Sequence, residues 1–333
     1  MFSEGRAESL AREIEHRETV CWALASLLLF FRAIAFLLVL QVGCGHNGAR
    51  SGQNGIPAQR PVFDGSRAFR LLQKQCDFGP RPVGSDAHQR TRDFLLAEMA
   101  GYADNTIAQD FTYRGMRLTN VIGVFNPQAK RSVLLCAHWD TRPTADEEID
   151  ADKRRKPILG ANDGASGVAV LLELARLFKE KKPAVGVIIV LFDGEDYGDF
   201  LQDEGVFLGS RHFAKNHKGY TPEFGILLDM VGDKNLNIYR EANSEKFARH
   251  INDKVFHIAQ ELGYGKHIIN QPGRNIIDDH IPLNEAGIPT INLIDFDYGP
   301  WHTLEDTPDK CSPSSLAIVG NTVAELIYRE PGL

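Results

Sequence analysis

Few cysteines, no excess of basic charge and no internal repeat mark this sequence, and each absence removes a class of protein. The five cysteines, at positions 21, 44, 76, 136 and 311, fall in no CxxC spacing, so neither a zinc knuckle nor a disulfide scaffold is available. Lys and Arg together number 37 against 44 Asp and Glu, a net charge of −7 with both signs interspersed, which leaves no basic field for nucleic acid. No period of 20–50 residues recurs, which excludes solenoids and propellers. What remains is a chain with 43% hydrophobic and 24% charged residues, the profile of a folded enzyme with a sizeable core.

Long apolar runs are confined to residues 20–42, VCWALASLLLFFRAIAFLLVLQV, broken only by Arg32 and Gln41. Two readings of residues 1–44 stand side by side: an export signal whose short apolar core, 33–40, leads to a lipidated Cys44, or an uncleaved membrane anchor. Either one predicts an exported protein associated with a membrane through this segment, in the periplasm or on the cell envelope if the source is bacterial. The Gly/Ser/Asn-rich residues 45–56 read as a flexible linker, and 57–333 as one catalytic domain. If that domain is exported, Cys76 and Cys311 either pair or stay as separate buried thiols.

Within the domain, four short runs are apolar on both faces: 133–137 (VLLCA), 187–192 (VIIVLF), 226–228 (ILL) and 289–294 (PTINLI). Such strands belong in a sheet covered on both sides. Helical patterns at 165–180, 209–216, 244–262 and 314–328 alternate with them, and helices are also predicted at 66–75 and 85–101. Two alternating stretches, 105–113 and 118–125, predict an antiparallel hairpin on one edge. The fold class is therefore α/β: a mostly parallel central sheet with antiparallel edge strands and helices on both faces.

Residues able to bind metal or move protons follow directly on these strands. VLLCA leads into His138 of HWD, VIIVLF into Asp193, Glu195 and Asp196 of DGED, and ILL into Asp229. Asp163 lies in GANDGASG at the start of a helix, and the last strand leads to Trp301 and His302 of WHT. In open α/β sheets ligands bind beyond the carboxyl ends of the strands. A mixture of carboxylates and imidazoles suits zinc, and Asp163, Asp196 and His302 supply one such set. Glu195, beside Asp196, is free to act as a general acid/base next to a Lewis acid. Asp140 either is placed to bind the second nitrogen of His138 or is a simple surface aspartate, and the mixed-charge residues 145–156 read as a solvated loop over the site.

With these motifs in hand, the chain resembles the zinc aminopeptidase family and, within that superfamily, the glutaminyl cyclases, from about Arg67 to Tyr328. HWD, GANDGASG, DGED, the aspartate after ILL and WHT with Asp306 following resemble the whole superfamily; FNPQAKR, LGSRHFA and DDHIPL resemble the cyclase branch. The resemblance implies a glutaminyl-peptide cyclotransferase that turns amino-terminal glutamine into pyroglutamate with one Zn2+, or else an aminopeptidase with two; peptide or protein N-termini are the substrates of both. It implies zinc ligation by Asp163, Asp196 and His302, catalysis by Glu195 supported by Asp229 and Asp278, and Trp301 as a pocket wall. A second ion would take His138 and Asp229, with Asp163 bridging. Both ligand sets are present, so the ligands alone leave the two activities open. Three positions depart from the animal cyclases: Asp196 stands for a glutamate, Ile277 for a glutamine, and no tryptophan occurs near Leu201.

Overall fold

The computed structural model describes residues 60–200, 202–217 and 219–332. The leader or anchor at 1–44, with Cys44, and the linker at 45–56 lie outside them. Two helices, α1 (Gly65–Asp77) and α2 (Asp86–Tyr102), come first among the described residues. Each begins where a side chain takes up a free backbone N–H: Asp64 accepts from Arg67 and Ser85 from His88. The hairpin β1 (Asn105–Tyr113) and β2 (Met116–Phe125) follows, its two-residue turn made by Arg114 at φ 47° and Gly115 at φ 83°. Two successive positive φ values give the twist that joins antiparallel strands.

The core βα units are β3 (Ser132–His138), a short helix α3 (Ala151–Arg154), α4 (Ala165–Glu180), β4 (Gly186–Phe192), α5 (Leu208–Asn216) and β5 (Gly225–Asp229). A small strand β6 (Ile238–Arg240), helix α6 (Ala242–Glu261), strand β7 (Ile268–Pro272), helix α7 (His280–Glu285), β8 (Thr290–Ile294) and the C-terminal helix α8 (Pro313–Arg329) complete the chain. The main sheet runs β1-β2-β4-β3-β5-β8. The last four of these strands are mutually parallel, while β1 and β2 form the antiparallel edge.

Burial explains why these strands read as continuous apolar runs. In β4, Val187, Ile189 and Leu191 join one core while Ile188, Val190 and Phe192 join another on the opposite face. The first core takes residues of α1, α2, α4, α6 and α8; the second takes Phe213 of α5 and Leu283 of α7. Sheet and helix approach closely at Gly167 of α4, where an added Cβ would lie 2.1 Å from the carbonyl oxygen of Leu228. The α/β class, the parallel core and the hairpin edge are as expected from the sequence. The parallel β6–β7 pair was not foreseen: β6 has only three residues, too few to show a period. Cys76, Cys136 and Cys311 are buried free thiols, so Cys76 and Cys311 stand as separate thiols rather than a disulfide. Among the described residues no helix is long and apolar enough to cross a membrane.

Candidate metal centre

Side chains from the carboxyl ends of β3 and β5 and from the loops after β4 and β8 converge, and the register of the sheet brings the sequence motifs together there. His138 ends β3, Asp229 ends β5, and Glu195 and Asp196 sit just beyond β4. Asp163 arrives on the turn before α4. That turn needs Gly164, whose φ is 95° and where a Cβ would meet the Asp140 carbonyl oxygen at 2.7 Å. His302 is itself in the left-handed region at φ 53°, a conformation uncommon outside glycine, at a functional position.

Two groups of side chains converge so that one potential ligand atom of each lies within 4.8 Å of the others: Asp163 with Asp196 and His302, and His138 with Asp163 and Asp229. Asp163 belongs to both. His302 Nε2 is 3.6 Å from Asp163 and 3.7 Å from Asp196, and His138 Nε2 is 3.0 Å from Asp163 and 3.3 Å from Asp229. All five residues are buried. The donor set fits a divalent cation, because Asp196 Oδ2 is buried with no hydrogen-bond partner among the described residues. Leaving a carboxylate oxygen dry and unpaired is costly unless an ion completes it.

Glu195 belongs to neither group. Burial pushes its carboxyl well above the usual range, Asp196, Asp278 and Asp279 add to that, and His138 opposes it. Asp278, raised by burial, donates no ligand atom either; it accepts from Asn292 Nδ2 at 2.7 Å and from the Asp279 amide. Trp301 stacks on His302 with ring centroids 3.9 Å apart and packs on Phe296, which makes an aromatic wall on one side of the site.

Two expectations are revised, and a third holds in part. Asp193 stays out of the site, because its oxygens are taken by the Thr119 amide and His88 Nε2, each at 2.7 Å. Asp140 lies 3.6 Å from His138 Nδ1, beyond hydrogen-bond reach; its two oxygens instead accept the amides of Glu195 and Asp196 at 3.1 and 3.2 Å. It shapes the acidic turn rather than the imidazole. The loop at 145–156 is solvated only in part: Ile149 is 94% exposed, but Asp146 reaches His302 Nδ1 at 3.2 Å and Glu147 N–H donates to the His302 carbonyl.

Of three supporting residues, Asp306 stood in the sequence only as part of the WHT motif with no role attached, and Arg81 and Arg142 were not singled out. Asp306 accepts the amides of Asn162 and Asp163 at 2.8 and 3.1 Å and the Tyr298 hydroxyl at 2.7 Å, which fixes the Asp163 turn. Arg81, fully buried, donates to the carbonyls of Trp139, Leu159 and Gly160 and ties that turn to β3. Arg142 donates to Asp196 Oδ1 at 2.9 Å. The only signal for Asp306 was its place after WHT; Arg81 and Arg142 carried none.

So much buried negative charge makes the metal-free protein pH-sensitive. Burial raises both Asp196 and Asp229 from 3.8 to about 7; Asp163 adds to each, while His302 pulls Asp196 back and His138 pulls Asp229 back. His138 and His302 are also raised, since the surrounding carboxylates outweigh the burial that opposes their charge. These raised groups bind more protons in the native than in the unfolded protein, so their contribution to stability is fully present below the unfolded carboxylate values and is lost as pH rises through about 7. The melting temperature of chelator-stripped protein should fall between pH 5 and pH 8, each extra proton contributing at most about 1.4 kcal/mol per pH unit. With the cation bound the trend should reverse over the lower part of that range, because protons compete with the ion for its ligands. Thermal melts with and without chelator check both signs.

The family model for peptidase family M28 matches residues 120–327. The glutaminyl cyclase of Bacteroides thetaiotaomicron, solved with N-acetylhistamine bound, is 40% identical and superposes with a TM-score of 0.78 over 82% of this chain and 100% of that one. A structure described as a leucine aminopeptidase precursor from the same organism is also 40% identical, with a TM-score of 0.79 over 82% of this chain and 99% of that one. Glutaminyl-peptide cyclotransferase of Drosophila melanogaster is 25% identical over 274 residues, 72% of this chain and 75% of its own length. With five candidate ligands gathered at the strand ends of this fold, the chain belongs to peptidase family M28, and within it to the glutaminyl cyclases of the zinc aminopeptidase-like superfamily.

Proposed function

We propose that the chain is a zinc-dependent glutaminyl-peptide cyclotransferase, closing an amino-terminal glutamine to pyroglutamate with release of ammonia. Glu195, a buried carboxyl of raised proton affinity beside the ion ligands and not one of them, supplies the acid/base group, and the observation that favours ring closure is the chain's place among the glutaminyl cyclases. Asp163, Asp196 and His302 would hold one zinc ion. When bound, that ion supplies Lewis-acid polarisation of the glutamine side-chain carbonyl.

In the reaction, the substrate's α-amine nitrogen bonds to the side-chain amide carbon, and the bond from that carbon to its own nitrogen breaks. Glu195 takes the proton that the amine loses and returns one to the departing nitrogen, which leaves as ammonia. Asp278 adds to the rise that burial gives Glu195 in proton affinity, and Asp229 is linked to the same cluster through Asp278, so both would support the proton shuttle. Trp301 walls the site and excludes water, the competing nucleophile. Because nucleophile and electrophile belong to one molecule, the protein need only hold one bent conformer.

The second group, His138 with Asp163 and Asp229, favours one alternative: a two-zinc aminopeptidase in which Glu195 activates water against the first peptide bond. Purified protein from about residue 57 onward, offered a glutaminyl and a leucyl peptide, separates the two by mass. Loss of ammonia from the glutaminyl peptide without shortening is the expected result, with about one zinc per chain; release of free leucine with two zincs would replace the cyclase by the peptidase. The apolar segment at 20–42 supports export, with membrane attachment through that segment and, if the source is bacterial, peptides met in the periplasm or at the cell envelope as substrates.

A further inference from the structure

We propose that Arg142 is a positioning residue that orients two zinc ligands at once, fixing Asp196 directly and His302 through Asp146. This rests on the reading of Asp163, Asp196 and His302 as the ion site.

Arg142 follows the HWD motif by two residues and is 8% exposed. One corner of its guanidinium, Nη1, donates to Asp196 Oδ1 at 2.9 Å and to the Gly198 carbonyl at 3.3 Å. The opposite edge meets Asp146 as a fork, Nε to Oδ1 and Nη2 to Oδ2, both at 2.8 Å. Asp146 Oδ1 in turn lies 3.2 Å from His302 Nδ1, which leaves Nε2 turned towards Asp163 and Asp196. The face of the guanidinium is covered by Phe200, 5.0 Å from its ring centroid.

The geometry divides each ligand into a held atom and a free one. With Oδ1 of Asp196 occupied by the guanidinium, Oδ2 is the oxygen left without a partner. With Nδ1 of His302 held by a carboxylate, the proton sits on that nitrogen and Nε2 keeps its lone pair for an ion. A planar fork is needed to reach both carboxylates from one side chain, and an ammonium cannot supply it. A ligand pair oriented before the ion arrives binds it with less reordering. The arginine also offsets part of the buried negative charge without occupying a ligand position.

Zinc affinity, read by competition with a chromophoric chelator, tests the proposal in wild type, Arg142→Lys, Asp146→Asn and the double variant. Arg142→Lys keeps the charge and loses the fork; Asp146→Asn keeps the shape and loses the carboxylate on His302. Each should weaken zinc binding by about 10–100-fold, the usual cost of an outer partner. The double variant should be little worse than Arg142→Lys alone, because both changes break one chain of contacts. Binding by both single variants within threefold of wild type would overturn the positioning role and leave the proposed activity untouched. A wild-type protein that holds no zinc would overturn the ion site itself. A merely structural arginine would lower the melting temperature of stripped and loaded protein alike and leave affinity unchanged. If Arg142→Lys fails to fold, Asp146→Asn decides alone.

Discussion

Replacing Glu195 with Gln should lower kcat by about 10²–10⁴-fold while zinc content and KM stay within a few-fold of wild type. The size follows from what Gln keeps and loses. The side chain keeps its length and shape, and the backbone of the turn is held independently by Asp140, which accepts the Glu195 and Asp196 amides, and by the Phe207 amide bonded to the Glu195 carbonyl. Both metal groups are complete without Glu195, so the ion should remain. Only the capacity to accept and return a proton disappears. Steady-state kinetics on a glutaminyl peptide, with zinc measured on the same sample, checks the prediction. A variant with kcat within tenfold of wild type would remove Glu195 from the reaction, and loss of zinc would mean that it acts as a ligand.

How much of this was legible before the structure depends on the range over which each feature is determined. β4 was read almost to its ends because a strand buried on both faces is apolar at every position, and 187–192 is. Helix α4 was read without error because its apolar face and its flanks are local properties. The five ligands were legible for a related reason: a strand direction and a motif at its end suffice to place a side chain at the sheet's carboxyl edge. Arg142 was not. Its partner Asp196 is 54 residues away, and nothing about an arginine after a threonine tells which carboxylate it will meet. Asp306 is 144 residues from the amide it holds, and its function is to accept backbone N–H groups, which leaves no pattern in side chains. Asp193 was misplaced among the acids of the site for the converse reason. It shares a motif with Glu195 and Asp196, but its side chain leaves the turn on the His88 side, where His88 stacks on Trp139 at 4.3 Å.

The same comparison explains why the tie between the mixed-charge loop at 145–156 and the site was not foreseen. Mixed charges and no apolar period describe a solvated segment, and beyond Glu148 that is what the chain does. One carboxylate at its start is enough to tie the loop to the site, and the tie is made by a buried partner that composition does not reveal. Asp146 is held well below the ordinary carboxylate range: burial opposes its charge, and His302 and Arg142 together outweigh that opposition. Arg142 thus sets one permanent positive charge within this acidic cluster, between Asp196 and Asp146.

In that cluster Asp163 has no substitute, and Asp163→Asn should abolish both zinc retention and turnover. It is the one residue common to the two groups, with oxygens that face His138 Nε2 at 3.0 Å and His302 Nε2 at 3.6 Å. The amide side chain is the same size, and the turn that carries it is held through the backbone by Asp306 and through Gly160 by Arg81, so the fold should persist. What changes is charge and donor type. A carboxylate facing two imidazoles becomes a neutral amide with one weakly ligating oxygen, and its NH2 group faces atoms that an ion would otherwise occupy. Loss of an outer partner costs about 10–100-fold in affinity, and loss of a direct, shared ligand should exceed that. Zinc should be absent after gel filtration, and activity should not return at zinc concentrations that saturate wild type. Circular dichroism of the variant should match that of stripped wild type. If Asp163→Asn kept one tightly held zinc, the ion would have to be gripped by a set that omits the central carboxylate, and the assignment of both groups would fail together.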